Sequence, residues 1–565
     1  MDAPLRTGTI RWTGFGAAGL LALAGVLGGA HPGGNVQSTP VTVATAPYGP
    51  VVLATWLLGT AGLAWAWWRL RDRVPSVRWA VGTILLWAAP FLVVPPMGSR
   101  DVFSYACQGH LYVNGLSPYR FGVDTLPCPW VEAVSPIWRD TPAPYGPLFV
   151  LATAAAVLLG GSLAGVIVLL RLLAVAGLVA IMAALLPLAR RCGVPAERAL
   201  WVAMAGPLIG AHLVGGPHND TLMIAAVAGA MALLVIGRPP VDAVAAGAPV
   251  DNRAELSQPS ATLPPTHRGG GGGGPRARIS ILNMALSSGN ASVSAAERDG
   301  GAGRGGAGRG RARGGAAVRV VVGAGVLLGL AVAVKATAIV VVPFVALLAV
   351  PRPLRFWPAA RALALVGGVT VATMGGVTAA SGLGLGWMAG MTHTQDLIQF
   401  TSPPTAVGMT TTYLGRLFWP GFDAVPAVRA IAIVLLAGAV LWLWVRALVA
   451  DEPVRAALRG AALASAAMIA LAPSFHPWYV MFPLILLAVT TVRTDLVMVV
   501  TAVAAFLVLP DGGGLVRYVK FPGAPIVTIV IGYLLYRRWR RGREPRPPLV
   551  TRSAEDLEVV HRAGE

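Results

Sequence analysis

The sequence predicts an all-α polytopic membrane protein, on three observations. Charged residues are only 12% of the 565-residue chain and hydrophobic residues 55%, whereas a water-soluble chain commits about a quarter of its residues to charge. Uncharged runs recur at Gly14–Ala30, Val51–Trp68, Pro147–Leu170, Leu172–Ala189 and Ala430–Val445. These reach or approach the roughly 18 apolar residues that a crossing helix needs. The formal charge of +20 comes from 44 basic residues, all Arg except Lys335 and Lys520, gathered in short clusters between the apolar runs. That pattern keeps basic residues on the cytoplasmic side, and it argues against a nucleic-acid partner. The same composition excludes a collagen-like fibre, a secreted disulfide scaffold and disorder throughout.

Arg6 and Arg11 precede the first run, so the N-terminus is expected inside, and 12–30 reads as a retained helix without a cleavage site. Helix 50–68 returns to Arg69, Arg71, Arg73 and Arg78, and 79–95 leads out to Pro95-Pro96. Residues 97–146 then form a long outer loop, rich in Pro, Trp and Tyr, with Cys107 and Cys128 in it. A disulfide is chemically open to that pair in an oxidising compartment, and Cys192 is expected free. Arg190, Arg191 and Arg198 remain inside only if 147–160 is a juxtamembrane helix and 163–188 one crossing. Arg171 then falls in the outer half of that crossing, where it must snorkel or face a polar cavity. Crossings 198–214 and 221–237 flank a polar outer motif, so residues 1–237 hold six spans.

Residues 238–316 are Gly-, Arg- and Pro-rich, with GGGGGG at 269–274. Such a segment cannot bury enough apolar surface to offset chain entropy, and a disordered cytoplasmic insertion is expected. Residues 317–537 supply the remaining spans: two short ones meeting at Lys335, then 359–380, 427–449, 457–473, 480–492, 495–510 and 523–536. A second outer loop covers 381–426, and 538–565 is a basic cytoplasmic tail. The expected total is about 14 crossings.

This topology sorts the polar residues. Of 24 acidic residues, Asp101, Asp124, Glu132, Asp140, Asp220, Asp396, Asp423 and Asp511 fall outside, as do His31, His110, His212, His218, His393 and His476. Asp101 follows the third span closely, level with a lipid headgroup, where a carboxylate can accept a proton from a sugar hydroxyl. The bland reading pairs it with Arg100 or makes it a helix cap. His218-Asn219-Asp220 offers two metal-type ligands, too few for a metal site, and a cap at Asn219 or Asp220 serves equally well. Lys335 either snorkels or partners a phosphate. His476-Pro477-Trp478-Tyr479 joins a polar group to stacking aromatics, or is an interfacial belt. No phosphate-cradling loop of the nucleotide type is present, so neither cofactor nor metal is expected.

Together the motifs resemble a known family. Ser99-Arg100-Asp101-Val102-Phe103-Ser104-Tyr105 with Gln108-Gly109, Gly115-Leu116-Ser117-Pro118-Tyr119, Pro144-Tyr145-Gly146-Pro147-Leu148, Gly215-Gly216-Pro217-His218-Asn219-Asp220 and Pro477-Trp478-Tyr479 occur in its order. It is the family of polyprenol-phosphate-mannose-dependent α-1,6-mannosyltransferases of actinobacterial lipomannan and lipoarabinomannan synthesis. The likeness covers nearly the whole chain except 238–316, and departs at Cys107, where a small residue is the family's habit. It implies the GT-C glycosyltransferase fold, a polyprenyl phosphomannose donor, a lipid-linked mannan acceptor and an active site on the outer face of the plasma membrane. It also implies an inverting transfer with Asp101 as base. Arg100, Tyr105, Gln108, Tyr145, His218, Asn219, Asp220, Lys335, His476, Trp478 and Tyr479 would bind substrate or the donor phosphate. Alternatives are another sugar or linkage on the same fold, α-1,2-mannosyl or arabinofuranosyl, or a lipid transporter. Against the transporter stand two large outer loops, no acid within a span and no inverted repeat.

Overall fold

A computed structural model describes residues 6–36, 38–236, 306–350, 355–393, 398–490, 495–514 and 520–543. Among these the structure is helical, apart from one isolated bridge between Val508 and Gly514. The first half runs α1 (Thr7–Gly28), α2 (Gly49–Leu70), α3 (Val77–Ala88), α4 (Asp101–Val113), α5 (Pro147–Gly160), α6 (Leu163–Arg191), α7 (Ala196–Met204) and α8 (Asp220–Val235). The second runs α9 (Gly306–Val334), α10 (Phe356–Ser381), α11 (Pro403–Gly415), α12 (Val425–Leu448), α13 (Pro453–Leu471), α14 (Met481–Ala488), α15 (Asp495–Ala505) and α16 (Lys520–Arg543). One compact unit comprises Met1–Val241 with Val320–Glu565, and a second comprises Asp242–Arg319.

Six helices, α1, α2, α6, α10, α12 and α13, are long and apolar enough to cross a membrane, and a bent pair of helices makes up to seven. Most of the other expected crossings are shorter apolar helices of 10–17 residues, and the expected 523–536 falls in α16, which is not among the crossing candidates. In α10 and α12 only 17% and 11% of the apolar window is buried, which leaves Val371, Ile433, Val434, Leu435 and Leu441 exposed. Water would penalise so much apolar surface, and lipid would not. The chain is a multi-pass membrane protein.

The expected break between 147–160 and 163–188 has a local cause. Gly161 takes φ +62°, and the Ser162 hydroxyl accepts the Gly165 N–H at 3.2 Å, capping α6. Most of the 238–316 insertion, 238–305, lies outside the described residues, as does the tail beyond 543. Its last stretch differs from expectation, because α9 begins at Gly306. Adding a turn to an existing apolar helix costs little, unlike nucleating one.

The bent pair is α7 with a turn at Ile209–Gly215, set at 68°. That turn is a π-helix, whose wider spacing leaves carbonyls without the usual partners. Arg171 neither snorkels nor faces a polar cavity. It is buried, and its guanidinium donates to the carbonyl oxygens of Val214 at 3.2 Å, Leu92 at 2.9 Å and Gly215 at 2.9 Å. One buried cation thus satisfies the freed carbonyls just ahead of His218.

Candidate active site

Three polar segments that are distant in sequence meet at one place. The first enters at Gly98, whose φ of +71° only glycine adopts cheaply. A Cβ there would lie 2.6 Å from the His212 ring, so Gly98 lets the chain pass directly over that imidazole. Asp101 opens α4, and its N–H is taken by the Ser99 hydroxyl at 3.0 Å, while its carboxylate lies on the wall of a cleft. It is not paired with Arg100. That guanidinium donates to the carbonyls of His31 (3.0 Å), Ala133 (3.2 Å) and Asn35 (3.2 Å), stapling the loop together. Tyr105 and Gln108 follow on the same helical face, and the Gln108 amide donates to Ser104 Oγ at 3.3 Å.

The second segment is the stretch after the π turn. His218 Nδ1 stands 3.6 Å from Asp101 Oδ2 and 3.5 Å from the Tyr105 hydroxyl oxygen. Asp220 does not cap α8. Its two carboxylate oxygens accept from Lys335 Nζ at 2.8 and 2.9 Å. The Asn219 amide is buried with neither atom hydrogen-bonded. Lys335, just past α9, also lies 4.5 Å above the Tyr479 ring, a cation–π contact. Tyr145 is drawn in by its neighbour, since Gly146 N–H donates to the Val334 carbonyl at 3.1 Å. A Cβ at Gly146 would sit 2.1 Å from the Ala333 carbonyl oxygen, so only glycine permits that approach. Tyr105 meets Tyr145 edge-on, with ring centroids 5.1 Å apart.

The third segment supplies Trp478, whose indole stacks on His218 at 4.5 Å, His476 at 4.8 Å and His212 at 5.5 Å. Asp101, Arg100, His476 and Trp478 face a cleft of about 420 Å³, together with Trp138, Phe400 and Asp511. Sequence reasoning counted Asp511 and His212 among the outer polar residues but did not place them in the site. Asp511 accepts from Ser38 Oγ and from the Gly513 N–H. Its signal was an outer acid next to glycines, Asp511-Gly512-Gly513-Gly514. His212 was visible only as a polar residue inside an apolar span. Asp124 and Asp140 are exposed, and Glu132 pairs with Arg139 at 3.1 Å on the surface.

The electrostatics separate the titratable groups. Burial pushes the Asp101 carboxyl up to about 6, against the opposing pull of Ser99 and Lys335. Burial, then His212, Lys335 and His476, hold His218 well below the ordinary imidazole value, and burial and Lys335 lower His476 to about 4. At neutral pH His218 is therefore uncharged, and its approach to Asp101 is a dipole contact rather than an ion pair. Facing a carboxylate, Nδ1 is the nitrogen that carries the proton. Among the described residues no three His, Cys, Asp or Glu side chains converge as a metal site. Cys107 is bonded to Cys128, and Cys192 is free and buried.

The arrangement offers one free carboxylate beside a cleft, a neutral imidazole to orient it and aromatic walls. Residues 11–262 match the family model described as alpha-(1->6)-mannopyranosyltransferase, N-terminal domain, and residues 404–537 match the MptB C-terminal domain. The chain is 29% identical over 587 residues to a probable alpha-(1->6)-mannopyranosyltransferase of Mycolicibacterium smegmatis, covering 96% of this chain and 92% of that protein. It is 27% identical over 484 residues to alpha-(1->6)-mannopyranosyltransferase A of Mycobacterium tuberculosis, covering 83% of this chain and 77% of the other. Over 34% of each chain it is 31% identical to alpha-(1->6)-mannopyranosyltransferase B of Corynebacterium glutamicum. No solved structure matches. With both domain models matched in order, and relatives of that name aligned along most of its length, the chain is a glycosyltransferase and belongs to the actinobacterial alpha-(1->6)-mannopyranosyltransferase family.

Proposed function

We propose that this chain moves mannose from a polyprenyl phosphomannose donor to the 6-hydroxyl of a lipid-linked mannan, with inversion, on the outer face of the plasma membrane. The observation that carries the reading is the Asp101 carboxylate: first in its helix, unpaired by Arg100, and open to the cleft. A β-linked donor and an α-linked product call for a single displacement. The acceptor oxygen attacks the anomeric carbon, the bond to the phosphate oxygen breaks, and the hydroxyl proton passes to Asp101. Polyprenyl phosphate leaves as the anion and needs no general acid.

The pairing of Lys335 with Asp220 changes the role expected of that lysine. Its charge is committed, so the donor phosphate falls to Arg100 and to the imidazole N–H of His476, both on the cleft wall. Trp138, Trp478 and Phe400 give the sugars apolar faces to rest on. The Cys107–Cys128 disulfide supports the outer placement, because such bonds persist in oxidising compartments. The GT-C fold and about 14 crossings complete the reading.

The test is transfer from labelled polyprenyl phosphomannose to a short α-1,6-mannoside by membranes holding the chain. Asp101→Asn should insert normally and lose about 10²–10⁴ in rate. Asp124→Asn and Asp140→Asn should keep most activity. Near-normal transfer by Asp101→Asn, with collapse of Asp220→Asn, would move the base to the second motif. No transfer from this donor by the unaltered chain would remove it from the proposal.

A further inference from the structure

A second polar site lies at the other end of α13 from the catalytic cleft. The C-terminal end of α13, at Leu471, leads within five residues to His476. Its N-terminal end, at Pro453, is some 27 Å away at about 1.5 Å per residue. There α12 and α13 part around a groove of about 360 Å³. Ala447, Ala450, Ala456 and Gly460 leave the space open, and Arg446, Arg455 and Arg459 line it.

The charge in this groove is unbalanced. Glu452 is its single acidic lining residue, and it lies 3.5 Å from Arg455. Among the described residues Arg446 and Arg459 have no ion pair and are exposed. Arg446 lies 5.3 Å over the Trp442 ring, which holds the guanidinium at the groove mouth. The first turn of α13 adds its open N–H groups and the positive end of the helix dipole. The wall is apolar and exposed at Trp442 and Leu463, 57% and 36%, and Val445, next to Arg446 on α12, is 45% exposed. Cationic groups at the helix ends, with an apolar wall running into the bilayer, fit a molecule with a phosphate head and acyl tails. A solvated basic loop would need neither the cavity nor the apolar wall.

We propose that this groove binds the headgroup of an anionic phospholipid from the leaflet opposite the catalytic cleft. The phosphodiester accepts from Arg446 and Arg459, and the acyl chains lie along Trp442, Val445 and Leu463.

The test uses the full chain in nanodiscs of phosphatidylcholine with a small fraction of cardiolipin, and native mass spectrometry after extraction to count retained cardiolipin. Arg446→Ala with Arg459→Ala should cut retention about 25-fold, at about fivefold per arginine. Arg446→Lys with Arg459→Lys, which keeps the charge, should retain most of it. The basic cluster at the end of α16 supplies the control, Arg538→Ala with Arg541→Ala, which should change retention by less than about twofold. Unchanged retention in the Arg446/Arg459 alanine pair, or an equal fall in the control, would overturn the site. Thermal protection by inorganic phosphate alone, equal to that by cardiolipin and lost in the same alanine pair, would overturn the lipid in favour of a soluble phosphate.

Discussion

At pH 7 the Asp101 carboxyl, at about 6, is mostly ionised yet still a usable proton acceptor. Transfer rate should therefore fall as pH drops through about 6, with the slope of one proton, and Asp101→Asn should lose that limb together with its rate. Stability gives the opposite sign. A carboxyl raised from 3.8 to about 6 binds its proton more tightly in the folded state. It contributes stability below its unfolded value, which is lost as pH rises through about 6. Asp101→Asn should consequently melt no lower than the unaltered chain at pH 7, so a thermal melt separates a catalytic acid from a structural one. Lys335 and Asp220 behave differently. Both are largely buried, with side chains 13% and 6% exposed. Lys335→Ala strands the Asp220 charge and should destabilise by about 3–5 kcal/mol. Lys335→Met with Asp220→Asn should regain most of the melting temperature without regaining transfer. Failure of the double variant to recover would mean that the pair holds the fold through something other than its charges.

The break before α6, whose local cause is Gly161 with Ser162, was legible through the charge rule, because Arg190, Arg191 and Arg198 stay inside only if the run is divided. So were the ends of the long spans, which composition marks directly. The π turn at Ile209–Gly215 was not, because it leaves no periodicity that separates it from an ordinary apolar helix. Arg171 read as misplaced for the same reason: its partners at Val214 and Gly215 exist only once the π turn forms, and Leu92 comes from another element. The site residues were legible as motifs, but not their pairing. Lys335 reaches Asp220 across 115 residues, and no local pattern encodes that distance. Arg171 also carries a prediction of its own. Arg171→Lys keeps one charge but cannot reach three carbonyls. The π turn and His218 should shift, and turnover should fall about 10–100-fold, within the range that about 1 Å of misplacement costs. Its acid limb near pH 6 should stay, because Asp101 is untouched. Loss of that limb would make Arg171 part of the proton transfer rather than of its support.

Every residue brought together around Asp101 lies in 31–236 or 320–514, within one compact unit. The stretch between, 237–305, joins α8 to α9. Lys335 follows α9 directly, so α9 must keep its register with the site, while the joining stretch need not. Replacing 245–305 by a Gly-Ser linker of about 20 residues, which behaves as a flexible coil, should therefore leave insertion and transfer rate within about twofold. The same replacement tests the topology. The native cysteines give little background, since Cys107 and Cys128 are bonded and Cys192 is buried. A cysteine introduced at exposed Asp124 should react in intact cells with a membrane-impermeant maleimide. One placed within the linker should react only after the membrane is opened. This expectation rests on the arginine clusters, whose pattern reads the α8–α9 connection as inner and 97–146 as outer. Outer labelling of the linker would reverse the parity of every span before it, and would place the Asp101 cleft on the face where polyprenyl phosphomannose and mannan are not expected to meet.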